Sequence, residues 1–248
     1  MEKIKIGAVS YLNTKPLIFG LENGLMSNEA SLQMDYPSKI ASYLLEDKID
    51  IGLVPVAIIP DLKEYYVNSD YCIGATGEVA SVCLFSEVPI NEIKSILLDY
   101  QSRTSVALLK ILLKEYWNLS PVFLSTNENY QSGIINDTAG LVIGDRALIQ
   151  RSKSRYIYDL GSAWIEHTGL PFVFAAWISN KKLKDGFIKE FNEANNCGLE
   201  RINEVINKNP FSPYDLKTYF TKNISYQLDQ DKKKGLELFL SKLNSIHS

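Results

Sequence analysis

The chain has 248 residues, 46 % apolar and 22 % charged, with a net charge of −3. At roughly 150 residues per domain this is room for one large domain or two lobes of ordinary globular composition. The mild acidity gives no electrostatic reason for a nucleic acid or an acidic membrane surface as partner, and no segment approaches the ~20 apolar residues of a membrane span.

The N-terminus enters a strand pattern at once, Lys3–Val9, with Ile4, Ile6 and Ala8 on one face and no signal-peptide apolar core, which predicts a cytoplasmic protein. The strand ends in Ser10-Tyr11-Leu12-Asn13-Thr14-Lys15-Pro16, where Pro16 suits the first turn of a helix and Asn13 or Thr14 a capping position. Ser31–Tyr36 reads as a second strand, and Pro37 opens a helix to about Asp47. Asp50–Pro55 is a short apolar run of the kind buried on both faces of a sheet. Strands alternating with helices predict a parallel sheet and the α/β class. Ligands on such sheets bind beyond the carboxyl ends of the strands, which points to the loops at Ser10–Asn13 and Pro55–Val56.

Tyr71–Phe85 holds two extended runs separated by Gly74–Gly77. Ser81, inside the second, is either bonded to backbone or a ligand contact. Ser95–Leu98 is a strand that stops at Asp99 and leads into a helix from about Thr104, with Val106, Leu109, Leu112 and Leu113 at helical spacing. Arg103 opposes the macrodipole at that helix start. With Ser102, Thr104 and Ser105 it forms either a capped turn with a solvated arginine or a cradle for a carboxylate or phosphate. Pro121–Ser125 and Ala139–Ile143 are strands, the latter ending in Gly144-Asp145-Arg146, where Asp145 either caps the next helix or orients Arg146 or a substrate hydroxyl. Tyr156–Leu160 is a further strand, Trp164–Pro171 reads as a turn-rich connector, and Phe172–Trp177 as a strand returning to the first sheet. His167 beside Glu166 reads as structural, because sequence neighbours do not face each other on a helix. From Lys181 the pattern is helical, with Phe187, Phe191, Ala194, Ile202 and Ile206 as one stripe and Leu236, Phe239, Leu240 and Leu243 as another. The charge run Asp229–Lys234 reads as solvated surface.

The three cysteines, Cys72, Cys83 and Cys197, lack metal-type spacing and read as free thiols. The two histidines, His167 and His247 in the C-terminal tail, leave no His-based metal site and exclude most Ser/His/Asp schemes. No phosphate-binding glycine motif occurs, so neither a metal nor a nucleotide cofactor is expected. Two strand–helix groups, divided near residue 86 and rejoined near 172, predict two lobes: residues 1–86 with 173–248, and residues 87–172. A cleft between lobes closing on a small anion is the physics of the two-lobe (type II) periplasmic-binding-protein fold.

The stretches VSYLNTKPL (9–17), DIGLVPVA (50–57), VASVCLFS (79–86), LLDYQSRTSVALLKILL (97–113), LVIGDRAL (141–148) and YDLGSAW…TGLPFVFAAW (158–177) resemble, in order, the chorismate dehydratases of the futalosine route to menaquinone, the MqnA family. The resemblance implies loss of water from chorismate to give 3-[(1-carboxyvinyl)oxy]benzoate without a cofactor. A sister enzyme that makes 1,4-dihydroxy-6-naphthoate shares the fold, and a non-catalytic anion-binding protein is the remaining alternative. Chorismate is a dicarboxylate, and the proton it loses is vinylogously acidic through the ring carboxylate. The resemblance makes Asn13 the catalytic candidate, as a hydrogen-bonding group, since an amide is no general base; the base is then the substrate's own enolpyruvyl carboxylate. It makes Arg103, Ser102, Thr104 and Ser105 a carboxylate clamp facing Asn13 and Ser10. Tyr11, Pro55, Ser81, Gly144, Asp145, Thr168 and Gly169 complete the expected substrate-binding set. Oligomeric state is not legible.

Overall fold

Two short apolar runs set the frame, and every residue of Ile51–Pro55 and Val82–Ser86 is buried, as strands covered on both faces are. A computed structural model describes residues 3–244, so His247 lies outside the described residues. The chain runs β1 (Ile4–Val9), α1 (Lys15–Glu22), β2 (Ala30–Asp35), α2 (Pro37–Leu45), β3 (Ile51–Pro55) and β4 (Tyr66–Ala75). It continues through β5 (Val82–Ser86), β6 (Ser95–Leu98), α3 (Arg103–Glu115), β7 (Val122–Ser125), β8 (Thr138–Ile143), α4 (Asp145–Gln150), β9 (Tyr156–Asp159) and α5 (Leu160–Thr168). β10 (Phe172–Ser179), α6 (Asp185–Glu200), α7 (Ile202–Lys208), the short α8 (Leu216–Thr218), β11 (Ser225–Gln227) and α9 (Gln230–Asn244) complete it.

Among the described residues the strands form two mixed sheets, ordered β11-β4-β10-β3-β1-β2 and β7-β6-β8-β5-β9. β1 lies parallel to β2 and β3, and β10 returns antiparallel between β3 and β4. In the second sheet β6 is parallel to β7 and β8, while β5 is antiparallel to β8 and β9. The predicted return of Phe172–Trp177 to the first sheet is therefore observed.

The first crossing differs from expectation. β5 belongs to the second sheet, so the chain changes sheets between Ala75 and Val82, not at residue 86. The apolar run 79–85 hides a tight turn: the Ser81 N–H donates to the Val79 carbonyl at 2.7 Å across Ala80, whose φ is +62°. That is the strained γ-turn geometry. The buried carboxylate of Asp159 holds it, accepting from the N–H groups of Val79 (3.1 Å) and Ala80 (2.8 Å). The same carboxylate caps α5 through the N–H groups of Gly161 (2.9 Å) and Ser162 (3.0 Å). Trp164–Thr168 is accordingly helix and not the predicted connector, with Gly169 at φ +72° as its left-handed C-cap. His167 meets Glu115 at 3.3 Å, not its neighbour Glu166.

Packing ties the C-terminal helices across both sheets. Gly198 lets α6 lie backbone to backbone on α1, because a Cβ there would fall 2.1 Å from the Pro16 carbonyl. Trp164, Phe172 and Phe239 meet edge to face with centroids 5.0–6.3 Å apart, joining α5, β10 and α9. Lys242 of α9 pairs with Glu115 of α3. Phe187, Phe191 and Ala194 are buried as predicted, but α7 buries Val205, with Ile202 and Ile206 only half-buried. Lys232 also departs from expectation. In a run read as solvated it is 1 % exposed, and its ammonium bonds the Gln227 carbonyl (2.7 Å) and Asp229 (3.3 Å), a polar tip satisfied beneath an apolar stem.

Candidate functional site

The loops after β1, β3, β6 and β8 converge between the sheets, as the strand-end rule requires. They frame a cleft with about 490 Å³ of free space, open mouth included, lined by Tyr11, Asn13, Thr14, Pro55, Ser102, Ser105 and Gly144. Its walls are apolar: Val9, Leu53, Ile73, Val82, Ile143, Phe174 and Ala175. Among the described residues, no side chain of Asp, Glu, His, Lys or Arg lines this cleft.

Each polar group has a local cause. A 3₁₀ turn, Leu12–Thr14, carries Asn13 inward, and its backbone carbonyl accepts from the Tyr226 hydroxyl at 3.0 Å. Ser102 is the N-cap of α3, its Oγ accepting from the Ser105 N–H at 3.1 Å. The Ser102 hydroxyl donates in turn to Ser105 Oγ at 2.8 Å, which leaves the Ser105 hydroxyl hydrogen for a ligand at a helix N-terminus. Gly144 sits at φ +62° and ψ −147°, with the Tyr11 ring against it. The Tyr11 hydroxyl bonds Gln101 across the sheets, and Leu12 N–H bonds Asp145 Oδ1 at 3.1 Å. Burial pushes the pKa of both Tyr11 and Asp145 up. Thr104 makes the third bridge, accepting from the Ala57 N–H at 3.1 Å.

Of the predicted site residues, Tyr11, Asn13, Pro55, Ser102, Ser105 and Gly144 therefore share one cleft. Thr104 and Asp145 join the sheets around it, and the Ser81 carbonyl accepts from Gly144 N–H at 2.8 Å within the second sheet. Arg103 is placed elsewhere. Its guanidinium pairs with Asp61 at 2.9 Å, both half-exposed, in an adjoining groove that meets the cleft at Ser102. Ser10 is exposed, its N–H donating to the Asp35 carbonyl at 3.1 Å. Thr168 and Gly169 close the end of α5, Thr168 Oγ1 donating to the Trp164 carbonyl at 2.8 Å. Sequence reasoning named Arg146 only as a group for Asp145 to orient and left out its place in the site, where it bridges Asp99 (2.8 Å) and Gln101 (3.0 Å) behind Tyr11. It also missed Tyr219 and Tyr226, which back Asn13 from the C-terminal segment.

A two-lobe α/β fold with a cleft of hydroxyl and amide groups at strand ends defines a binding-protein-like class. The fold matches a structural-genomics protein from Archaeoglobus fulgidus with a TM-score of 0.77 at 14 % identity, over 99 % of this chain and 97 % of that one. It matches a Candida albicans gene product with the generic periplasmic-binding-protein fold (TM-score 0.69, 15 % identity, 100 % and 92 % covered). The alkanesulfonate-binding protein SsuA from Xanthomonas axonopodis pv. citri is similar at TM-score 0.67 and 14 % identity, with 99 % and 93 % covered. These likenesses show the fold.

In sequence, the menaquinone-biosynthesis family model matches residues 4–245, and the chain belongs to that family. Two relatives, both called chorismate dehydratase, are similar to it. One is from Thermus thermophilus, 28 % identical over 88 % of this chain and 82 % of the relative. The other is from Campylobacter jejuni, 26 % identical over 97 % and 98 %.

Proposed function

We propose that this chain is a chorismate dehydratase, eliminating water from chorismate to give 3-[(1-carboxyvinyl)oxy]benzoate. The observation that carries the reading is a cleft lined by an amide, hydroxyls and apolar side chains, with no charged group on its lining among the described residues. Such a lining suits a reaction whose substrate brings its own base. The apolar wall packs the ring, and the Ser105 hydroxyl with the α3 N-terminus holds a carboxylate. Donors on the ring carboxylate stabilise the dienolate that forms as the ring C–H bond breaks, and the enolpyruvyl carboxylate takes that proton. The C–O bond to the ring hydroxyl then breaks, the ring becomes aromatic, and hydroxide and proton leave as water. Asn13 orients the leaving hydroxyl or a carboxylate by hydrogen bonding. Arg103 adds positive potential from the adjoining groove, partly offset by Asp61.

The proposal retains a small dicarboxylate as partner and a cytoplasmic site of action, and takes the lobes to divide at the two crossings. Among the described residues no helix is long and apolar enough to cross a membrane. The test is to mix purified protein with chorismate and follow ultraviolet absorbance and product mass. Loss of one water with a gain of aromatic absorbance is the expected result. Binding without turnover overturns the reading in favour of a binding protein, and turnover of a cyclised futalosine in favour of the naphthoate-forming sister enzyme.

A further inference from the structure

Asn13 is held by its backbone, through the bond from Tyr226, while its carboxamide is weakly held: Oδ1 accepts from the Thr14 hydroxyl at 3.4 Å, and the side chain lies within reach of the Tyr219 hydroxyl. Beside it lies Tyr219, fully buried, whose hydroxyl has no hydrogen-bond partner of normal geometry and faces the side chains of Asn13 and Ser81. An unpaired buried hydroxyl is rare enough in native proteins to require a reason. The backbone around it is equally unusual. Tyr219 opens a π-helical turn, Tyr219–Asn223, of the kind that collects at functional sites. Across from it the strained turn at Ala80 presents Ser81.

We propose that Tyr219 is a positioning residue that acts through Asn13. Its phenol donates to Asn13 Oδ1 when substrate is bound, which turns the two N–H donors of the carboxamide towards the cleft. An amide free to flip presents a donor or an acceptor with little preference, and an anionic substrate with a departing hydroxyl needs the donor. The Ser81 side chain lies within reach of the same phenol. The inference rests on the proposed dehydration and deepens it, because it names what sets the orientation of the group nearest the chemistry.

The test is Tyr219→Phe, alone and combined with Asn13→Ala. The single variant is expected to lose about tenfold or more in kcat with KM for chorismate within about twofold. Its Tm is expected not to fall, because the change removes an unpaired buried hydroxyl. In the Asn13→Ala background the same change is expected to alter kcat less than about twofold. An unchanged kcat in the single variant, or the same loss in both backgrounds, overturns the role of Tyr219. Wild-type protein that leaves chorismate intact overturns the dehydration instead. The orientation is then read from the Asn13 side-chain amide signals in ¹⁵N NMR: broadening in Tyr219→Phe supports it, and signals identical to wild type overturn it.

Discussion

Gly144→Ala tests whether the cleft is built as described. Gly144 has φ +62° and ψ −147°, a region close to glycine-only. A Cβ there would sit 3.1 Å from three atoms of the Tyr11 ring. The backbone strain alone costs about 1–3 kcal/mol. With an unfolding entropy near 2.1 cal/mol/K per residue over the chain, that lowers Tm by about 2–6 °C. The ring must also move, and its hydroxyl is the bond to Gln101 that joins the two sheets beside Asn13. A shift of order 1 Å at that point is expected to lower kcat/KM for chorismate by about 10–100-fold. Calorimetry and a turnover assay on the same preparation read both effects. A Tm within about 1 °C of wild type, together with unchanged kcat/KM, would refute the claim that Tyr11 packed on Gly144 shapes the site.

Asp159→Ala leaves four backbone N–H groups without their acceptor and is expected to cost about 3 kcal/mol or more in urea unfolding; a loss below about 1 kcal/mol contradicts the account. Burial pushes the Glu115 pKa up, but hydrogen bonds from Lys242 and His167 outweigh it and hold the carboxyl below its ordinary 4.5. The folded state thus favours the ionised form, so its contribution is present above pH 4.5 and is lost as the pH falls through the lowered value. The Tm gap between wild type and Glu115→Gln should be open at neutral pH and close in acid; a gap that widens in acid contradicts this. Arg103→Ala removes a half-exposed ion pair and should change stability by about 1 kcal/mol or less. KM should rise only about threefold, and less in high salt; a rise of about 100-fold would put the guanidinium directly on a carboxylate.

Much of the fold is legible because buried strands announce themselves as apolar runs. Asp50–Pro55 and Ala139–Ile143 read as strands for that reason, and the strand-end rule then pointed to Asn13 and Pro55. The sheet crossing at Ala80–Ser81 is invisible because its turn is made by backbone geometry and by Asp159, a residue about 80 positions away. The same carboxylate starts α5, so misreading one end of that interaction misplaced both elements. Lys232 looks solvated because charge in a sequence carries no record of which carbonyl will receive it. Arg103 fails on helix azimuth: its neighbours Thr104 and Ser105 face inward and are buried, which turns Arg103 towards the outer groove. The walls of the cleft, such as Phe174 and Ile143, are indistinguishable in sequence from ordinary core. Tyr219 and Tyr226 lie in a segment, 213–227, with no motif to mark them.

The central claim is that Asn13 acts on bound chorismate in this cleft. Steady-state turnover and calorimetric binding of chorismate by Asn13→Ala test it most directly. The account predicts a kcat lower by about 100-fold or more, the scale of losing a well-placed hydrogen-bond donor in a transition state, with Kd for chorismate within about threefold of wild type. An Asn13→Ala protein that turns over chorismate at the wild-type rate would contradict it.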